Sequence, residues 1–242
     1  MKLFIPTFLM LFASTLFSQN KLVVNYRFNY QFDTSTPTDP KTIALYKASN
    51  NNTGDYILIT SKDESLFNKI EKLDNNQKDS NINNIPVPSG MNYINFNDEI
   101  NIYNLEFKGQ KILIKDSLSS FKWIIQKDRE KYLGYDVKKA FAKNNNIIYE
   151  VWFAPDLPFK SGPGLIWGLP GIILKLEIIM NQSDGIHKRY YNATKIELNN
   201  NAIITKPSKG KVFTEKEFIK YFNEQLKIEA EMKNNRIDTK ID

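Results

Sequence analysis

The chain has 242 residues, enough for one ample domain or two small ones, and its 41% apolar and 25% charged residues exclude a wholly disordered polymer. The net charge of +6 lies on scattered lysines with few arginines and no basic cluster, which excludes a nucleic-acid-binding stripe. The absence of cysteine excludes disulfides, thiol catalysis, thiolate metal sites and a lipid-anchored N-terminal cysteine, so the fold has to be held by a packed core.

Residues 1–18 read MKLFIPTFLMLFASTLFS: Lys2 is a charged n-region, 3–17 an apolar h-region, and Ser18 a small residue at a cleavage point. This reads as a secretory signal peptide, with an uncleaved N-terminal anchor as the alternative; no second segment approaches membrane-spanning length. The expectation is an exported protein, periplasmic or secreted, that is not a lipoprotein. Residues 19–233 are expected to form a single β-rich domain, and 234–242 a frayed tail.

Residues 21–30 alternate, with Leu22, Val24, Tyr26, Phe28 and Tyr30 on one face and Lys21, Asn25, Arg27 and Asn29 on the other, the pattern of a half-buried strand. Strands are predicted over 42–47 and 55–60, joined by turn residues at 50–54. Leu66, Phe67, Ile70 and Leu73 at helical spacing predict a helical turn or two over 65–73. An asparagine-rich insert with prolines, 74–90, reads as a surface excursion. Strands follow over 93–97, 100–107, 111–115 and 121–126, then short extended pieces over 130–142 broken or bulged at Gly134, then a strand over 147–153.

The stretch Gly162–Glu177, GPGLIWGLPGIILKLE, joins a shaped loop to an apolar run. Gly162, Gly164, Gly168 and Gly171 permit close approach and positive φ, while Pro163 and Pro170 fix φ; Leu169 before Pro170 is pushed toward extended geometry. A strand follows from Gly171, with Ile172, Leu174, Leu176 and Ile178 on one face, then a hairpin turn at Asp184-Gly185 and a return strand over 187–198. Thr214 and Glu217 form a capping box, Phe213 and Phe218 a hydrophobic staple, and Phe218, Phe222 and Leu226 the stripe of a C-terminal helix that fades near Met232. The fold class expected is mainly β, a curved antiparallel sheet with one C-terminal α-helix.

The motif Gly168-Leu169-Pro170-Gly171-Ile172-Ile173 resembles that of the GLPGLI family of exported proteins from Gram-negative envelopes, with Ile172 in place of the usual Leu. Trp123-Ile124-Ile125, Gly134-Tyr135, Lys139-Ala140, Trp152-Phe153, Asp156-Leu157-Pro158 and Gly162-Pro163 fall in the order that family's pattern expects. Many relatives carry Cys where this chain has Val137, which argues against an essential thiol. The resemblance implies an envelope protein and supplies no catalytic residues. The same run is similar to lipoprotein-carrier-like proteins, which curl an antiparallel sheet around a greasy concave face, a likeness of fold alone.

Chemistry-bearing constellations are sparse. His187 is the only histidine, and no Ser stands on a Gly-x-Ser-x-Gly elbow, so it reads as a surface or structural group. One His and no Cys predict no zinc site, and no cofactor is expected. Glu150 and Asp156 are the best pair for a carboxylate-dependent hydrolase. The Gly/Pro loop either builds only a turn or lines a groove; on the second reading Trp152, Pro163, Leu165, Ile166 and Trp167 form a ligand or partner surface, framed by Gly162, Gly168, Leu169, Pro170 and Gly171. The leading expectation is a non-enzymatic binding or accessory protein holding a lipid-like or peptide ligand on the concave sheet face. The second is an interaction partner of an outer-membrane assembly, and the third a hydrolase. A concave apolar cavity would favour the first, a filled core with an exposed apolar patch the second, and a pocket uniting Glu150 and Asp156 with a raised-pKa carboxyl the third.

Overall fold

The computed structural model describes residues 20–71, 88 and 90–238, with side chains as far as 232. The leader-like segment 1–18, nearly all of the insert 74–90 and residues 239–242 lie outside the described residues. The elements in chain order are β1 (Leu22–Gln31), α1 (Pro40–Ser49), β2 (Thr53–Thr60), β3 (Glu64–Lys69), β4 (Asn92–Asn95), β5 (Ile100–Phe107), β6 (Gln110–Ser117), β7 (Ile124–Tyr132), β8 (Tyr135–Asn144), β9 (Ile147–Ala154), β10 (Ile172–Gln182), β11 (Gly185–Leu198), β12 (Lys211–Phe213) and α2 (Glu215–Asp238).

The strands form one open sheet in the order β12-β6-β5-β4-β3-β2-β1-β11-β10-β9-β8-β7. All pairs are antiparallel except β12 on β6. Two meanders, one running up the chain from β1 and one running down from β11, meet where β1 pairs with β11. The curl of the sheet follows from its connections. The six residues 118–123 reach at most roughly 25 Å, yet they join β6 to β7, ten inter-strand steps apart, about 48 Å if the sheet were flat. The sheet therefore bends, and this linker crosses its concave side.

The β1 alternation buries Leu22, Val24, Tyr26, Phe28 and Tyr30, each at most 4% exposed, at the centre of the concave face. Pairing register places Phe28, Tyr191, Leu176, Val151 and Ala140 in one cross-strand row of that face, all buried. A bulge between Ile173 and Lys175 of β10 leaves the Ile173 carbonyl to accept the Tyr26 hydroxyl at 2.5 Å. On the opposite face of β7–β11, ion pairs Lys139–Glu150, Lys175–Glu130 and Lys188–Glu177 form a solvated ladder. The bond to Glu150 holds the Lys139 ammonium above its ordinary range. A smaller cluster of Leu66, Tyr93, Ile102 and Leu113, with Ile204 packed on it, lies under the chain that returns from β11 to β12.

Several local expectations differ from the structure. Residues 42–47 are helical, in α1. Asp39 caps the helix by accepting from the Thr42 amide at 3.0 Å and Pro40 opens the first turn, and these end signals outweigh the β-branched Thr42 and Ile43. Residues 50–54 accordingly close that helix: the Asn50 amide bonds Tyr46 O, and its side chain clamps both backbone groups of Phe32. Of the segment 65–73 predicted as helical turns, 65–69 lie in strand β3, where Leu66 faces the small cluster and Phe67 the main core, so adjacent apolar residues serve two faces, while Leu73 falls outside the described residues. Gly134 is no bulge. With Leu133 it makes the two-residue turn of the β7–β8 hairpin, at φ 49° and 87°, and the strand expected over 121–126 begins at Ile124.

The capping box stands as expected, Thr214 N to Glu217 Oε2 at 2.8 Å and Glu217 N to Thr214 Oγ1 at 3.3 Å, with the Phe213–Phe218 staple beside it. α2 docks through Phe218, Tyr221 and Phe222 on Phe107, at the end of the β5–β6 hairpin rather than across the sheet, and continues to Asp238.

His187 is buried under the β10–β11 hairpin. Its Nδ1 accepts from the Asp33 amide at 3.3 Å, so its Nε2 carries the hydrogen and donates to Asp184 Oδ1 at 3.0 Å. The Tyr46 hydroxyl donates to Asp184 Oδ2 and pins α1 to this turn. Hydrogen bonds from Tyr46 first and His187 second hold the Asp184 carboxyl below its usual value, and the bond to Asp184 lifts Tyr46 to about 12. A depressed carboxyl stabilises above the unfolded value, about 3.9, and the contribution is lost as pH falls through the folded value. Asp184→Asn is therefore expected to lower stability at pH 7 and to match the parent once both are acidified below the folded value. Urea unfolding at the two pH values checks it; a gap that persists in acid counts against the account.

Candidate functional site

The loop 155–171 between β9 and β10 is tied into the sheet along its length. Ile172 N donates to Leu157 O at 3.0 Å, Ile173 N to Ser161 O at 3.1 Å and Gly168 N to Lys160 O at 2.8 Å. Ser161 and Trp167 form an isolated antiparallel bridge, so 161–167 is a small hairpin with Gly164, at φ 67°, near its tip. The Ser161 hydroxyl donates to Thr60 Oγ1 at 2.6 Å, both side chains being fully buried. Leu169, 1% exposed, and Ile166, 8% exposed, enter the main core. The loop therefore fills the middle of the concave face.

The glycines of the motif have distinct jobs. A Cβ on Gly171 would stand 2.2 Å from Ala154 O, and one on Gly162 would stand 2.8 Å from Ile173 Cδ1, so both are close-approach positions. Pro163 is buried and Pro170 exposed.

Two tryptophans clasp the loop to the crossing linker. The Trp123 indole donates to Trp167 O at 2.8 Å, and the Trp167 indole donates to Ser119 O at 2.7 Å while its ring rests on Phe96 at 5.7 Å. Trp167, expected at a ligand or partner surface, is partly exposed with its one polar group engaged by the protein.

Beneath this clasp lies a crevice of about 250 Å³. Its walls include Tyr103 and Asn101 from β5, Ser119 and Phe121 from the linker, Tyr149 from β9, and Leu165 and Ile166 from the loop. Asn92, Asn144 and Glu215 complete its polar rim. Phe121 stands edge-on to Tyr149 at 5.3 Å and stacks on Trp123 at 5.4 Å. Burial pushes the Tyr103 hydroxyl to about 12 and raises that of Tyr149, so both are neutral donors at physiological pH. The arrangement offers amides, hydroxyls and ring faces to a polar ligand.

Of the residues singled out from sequence, Leu165 and Ile166 line this crevice and Trp167 braces its wall. Trp152 lies elsewhere: it alternates with buried Val151 and Phe153, so it faces the ion-paired side of the sheet, under Lys175 at 5.6 Å. There it shares a cleft of about 310 Å³ with Glu150, Glu177 and Tyr190. Glu150 is paired with Lys139 at 2.9 Å, and Asp156 does not line that cleft. Among the described residues no group of three or more His, Asp or Glu could hold a metal, and no helix is long and apolar enough to cross a membrane. Tyr103, Phe121 and Tyr149 were not evident as site residues, because only the curl of the sheet brings β5, β9 and the linker together.

Comparison with known proteins agrees with this architecture. Residues 46–221 match the family model described as N-glycanase peptide, N-terminal domain. The solved structure of PNGF-II in a C2 space group superposes with a TM-score of 0.55 at 20% identity, over 83% of this chain and 32% of that one. The same protein in space group P21 gives 0.51 at 22% identity, over 81% and 32%. The chain thus spans about a third of the length of these structures. The MucA/MucB complex of Pseudomonas aeruginosa matches loosely, at a TM-score of 0.38 and 7% identity over 80% of this chain and 55% of that one, too distant to bear on fold or function. No curated protein matches the chain. With its sheet order and loop in place and the family model covering well over half its length, the chain belongs to the family of N-glycanase N-terminal domains.

Proposed function

We propose that this chain is a non-enzymatic accessory domain that recognises a glycoconjugate at the crevice lined by Tyr103, Phe121, Tyr149, Leu165 and Ile166. The observation that carries the reading is the lining itself: side-chain amides, neutral tyrosine hydroxyls and aromatic faces converge in one open crevice, the chemistry that meets a sugar's hydroxyls and its C–H faces. The family's description supports it, since N-glycanases act on glycans by name. The leader-like segment and the GLPGLI resemblance support export to the envelope. A lipid-like or peptide ligand, the expectation from sequence, would have to enter from the open end of the concave face, because the loop occupies its middle.

A free N-linked oligosaccharide titrated into the protein by calorimetry tests this. The parent is expected to bind, and Tyr149→Ala to weaken binding by roughly tenfold or more, on the scale of losing one aromatic contact with its hydroxyl. Trp152→Ala, on the other face, is expected to change nothing. No binding by the parent, or equal loss in both variants, removes the proposal.

A second reading has its own observation. β7 is an outer edge strand with most of its residues exposed, Ile124 at 56% and Ile125 at 49%, and an extended segment of an outer-membrane partner could pair along it.

A further inference from the structure

The concave face is not equally closed along its length. One row below the buried Phe28–Tyr191–Leu176–Val151 row, register aligns Tyr30, Arg189, Ile178, Tyr149 and Ala142. In this lower row Arg189, Ile178 and Tyr149 remain partly exposed. Arg189 thus occupies a position where strand alternation calls for an apolar residue, on the same face as Tyr191 and Ala193.

The Arg189 Nε is buried without a hydrogen-bond partner. The guanidinium lies over the Tyr30 ring, 5.7 Å from its centroid. Among the described residues no carboxylate forms an ion pair with it. Asp184 takes Tyr46 and His187, and Asp33 takes Ser35 and Thr36; Glu71 and Arg189 both act on the Tyr56 hydroxyl, in opposite directions. The positive charge is nonetheless felt by the surrounding tyrosines. Burial raises the hydroxyls of Tyr30, Tyr149 and Tyr191, and Arg189 is the leading opposing influence on each.

A guanidinium held among rings with no ion-pair partner among the described residues costs stability, and an apolar side chain of similar volume would pack there without that cost. Such a group is well suited to an anion that arrives from outside, because its planar fork matches a carboxylate in two parallel hydrogen bonds. The neighbours narrow the anion's class. Tyr149 belongs both to this row and to the crevice. It lies two strand spacings from Arg189, about 10 Å, within the combined reach of an arginine side chain and one ring-sized ligand. The floor between them is Ile178, an apolar surface suited to the C–H face of a ring.

We propose that Arg189 seats the carboxylate of an acidic sugar whose ring lies over Ile178 against Tyr149, at the open end of the concave face. This rests on the glycoconjugate reading above and gives it a charge preference. The row places one cation in a setting of rings and hydroxyls, which recognises a negatively charged residue within a glycan rather than a bare inorganic anion.

The test compares two monosaccharides that differ only in the carboxylate, methyl β-glucuronide and methyl β-glucoside, by ligand-observed NMR titration at millimolar concentrations. The parent is expected to prefer the glucuronide by roughly tenfold. Arg189→Met is expected to lose that preference while keeping the glucoside affinity, and to melt at or above the parent's temperature because an uncompensated charge has been removed. Equal affinity for both sugars in the parent, or a preference that survives in Arg189→Met, overturns the role of Arg189 and leaves the glycan site standing. Failure of the parent to bind either sugar overturns both. A clear drop in the melting temperature of Arg189→Met would make the guanidinium a structural tie and also overturns the proposal.

Discussion

Gly171→Ala is expected to fold with a large loss of stability, whereas Gly164→Ala, seven residues earlier in the same motif, is expected to lose only a little. The added methyl at Gly171 would meet backbone: Ala154 O at 2.2 Å, Ala154 C at 2.6 Å and Pro155 Cα at 2.9 Å. Backbone cannot rotate aside as a side chain can. Relief requires β9 and β10 to part where the loop leaves one strand and enters the other, at a cost of about 3 kcal/mol or more, a large share of a domain's stability. At Gly164 the methyl meets nothing within 4 Å, and the strain is that of a left-handed residue at φ 67°, about 1 kcal/mol. Urea unfolding of both variants separates them. Similar midpoints would show that the motif is a turn whose glycines serve conformation alone.

Leu169→Ala carries the second large effect. The side chain is 1% exposed and projects from the loop into the core cluster that holds Tyr26, Phe28 and Ile173. Truncation is expected to cost about 3 kcal/mol, the transfer term plus the cavity left behind. Leu165, also on the loop but partly exposed at the crevice, is expected to cost well under half as much when truncated. If the loop were a lid resting on an open cavity, the two substitutions would be similar and small. Chemical denaturation followed by tryptophan fluorescence reads both, since Trp123 and Trp167 lie against the loop.

Much of this fold is written in two-residue alternation. β1 could be read directly because its buried face never breaks pattern, and the α2 cap because Thr214 and Glu217 stand at the spacing that satisfies orphan amides. α1 was hidden because it has almost no apolar face: Tyr46 and Ser49 are its buried residues, so no helical stripe exists to detect, while Asp39-Pro40 carried the start signal. β3 was hidden for the opposite reason, since burial on both faces puts Leu66 next to Phe67 and imitates helical spacing. The glycine-proline loop was legible as a shaped element. Its depth was not, because Ser161 meets Thr60 across a sequence separation of 101 residues. Trp152 lines a cleft on the opposite face from Leu165 and Ile166, and sequence did not separate the two because aromatic character carries no information about which face of a strand a residue takes. Arg189 did leave a trace: a cation at an inward position of an otherwise apolar-facing register is a break in pattern that sequence alone displays.

Loop 155–171 is a permanent part of the core, and ligand is expected to meet the domain at the crevice beside it. Amide hydrogen exchange at Gly168, Ile172 and Ile173 tests this most directly, because their hydrogen bonds to Lys160, Leu157 and Ser161 exist only while the loop is seated. The account predicts protection equal to that of the β10 amide of Leu176. Exchange at the rate of an exposed amide, with β10 still protected, would mean that the loop opens as a lid and that the concave face beneath it is the binding surface.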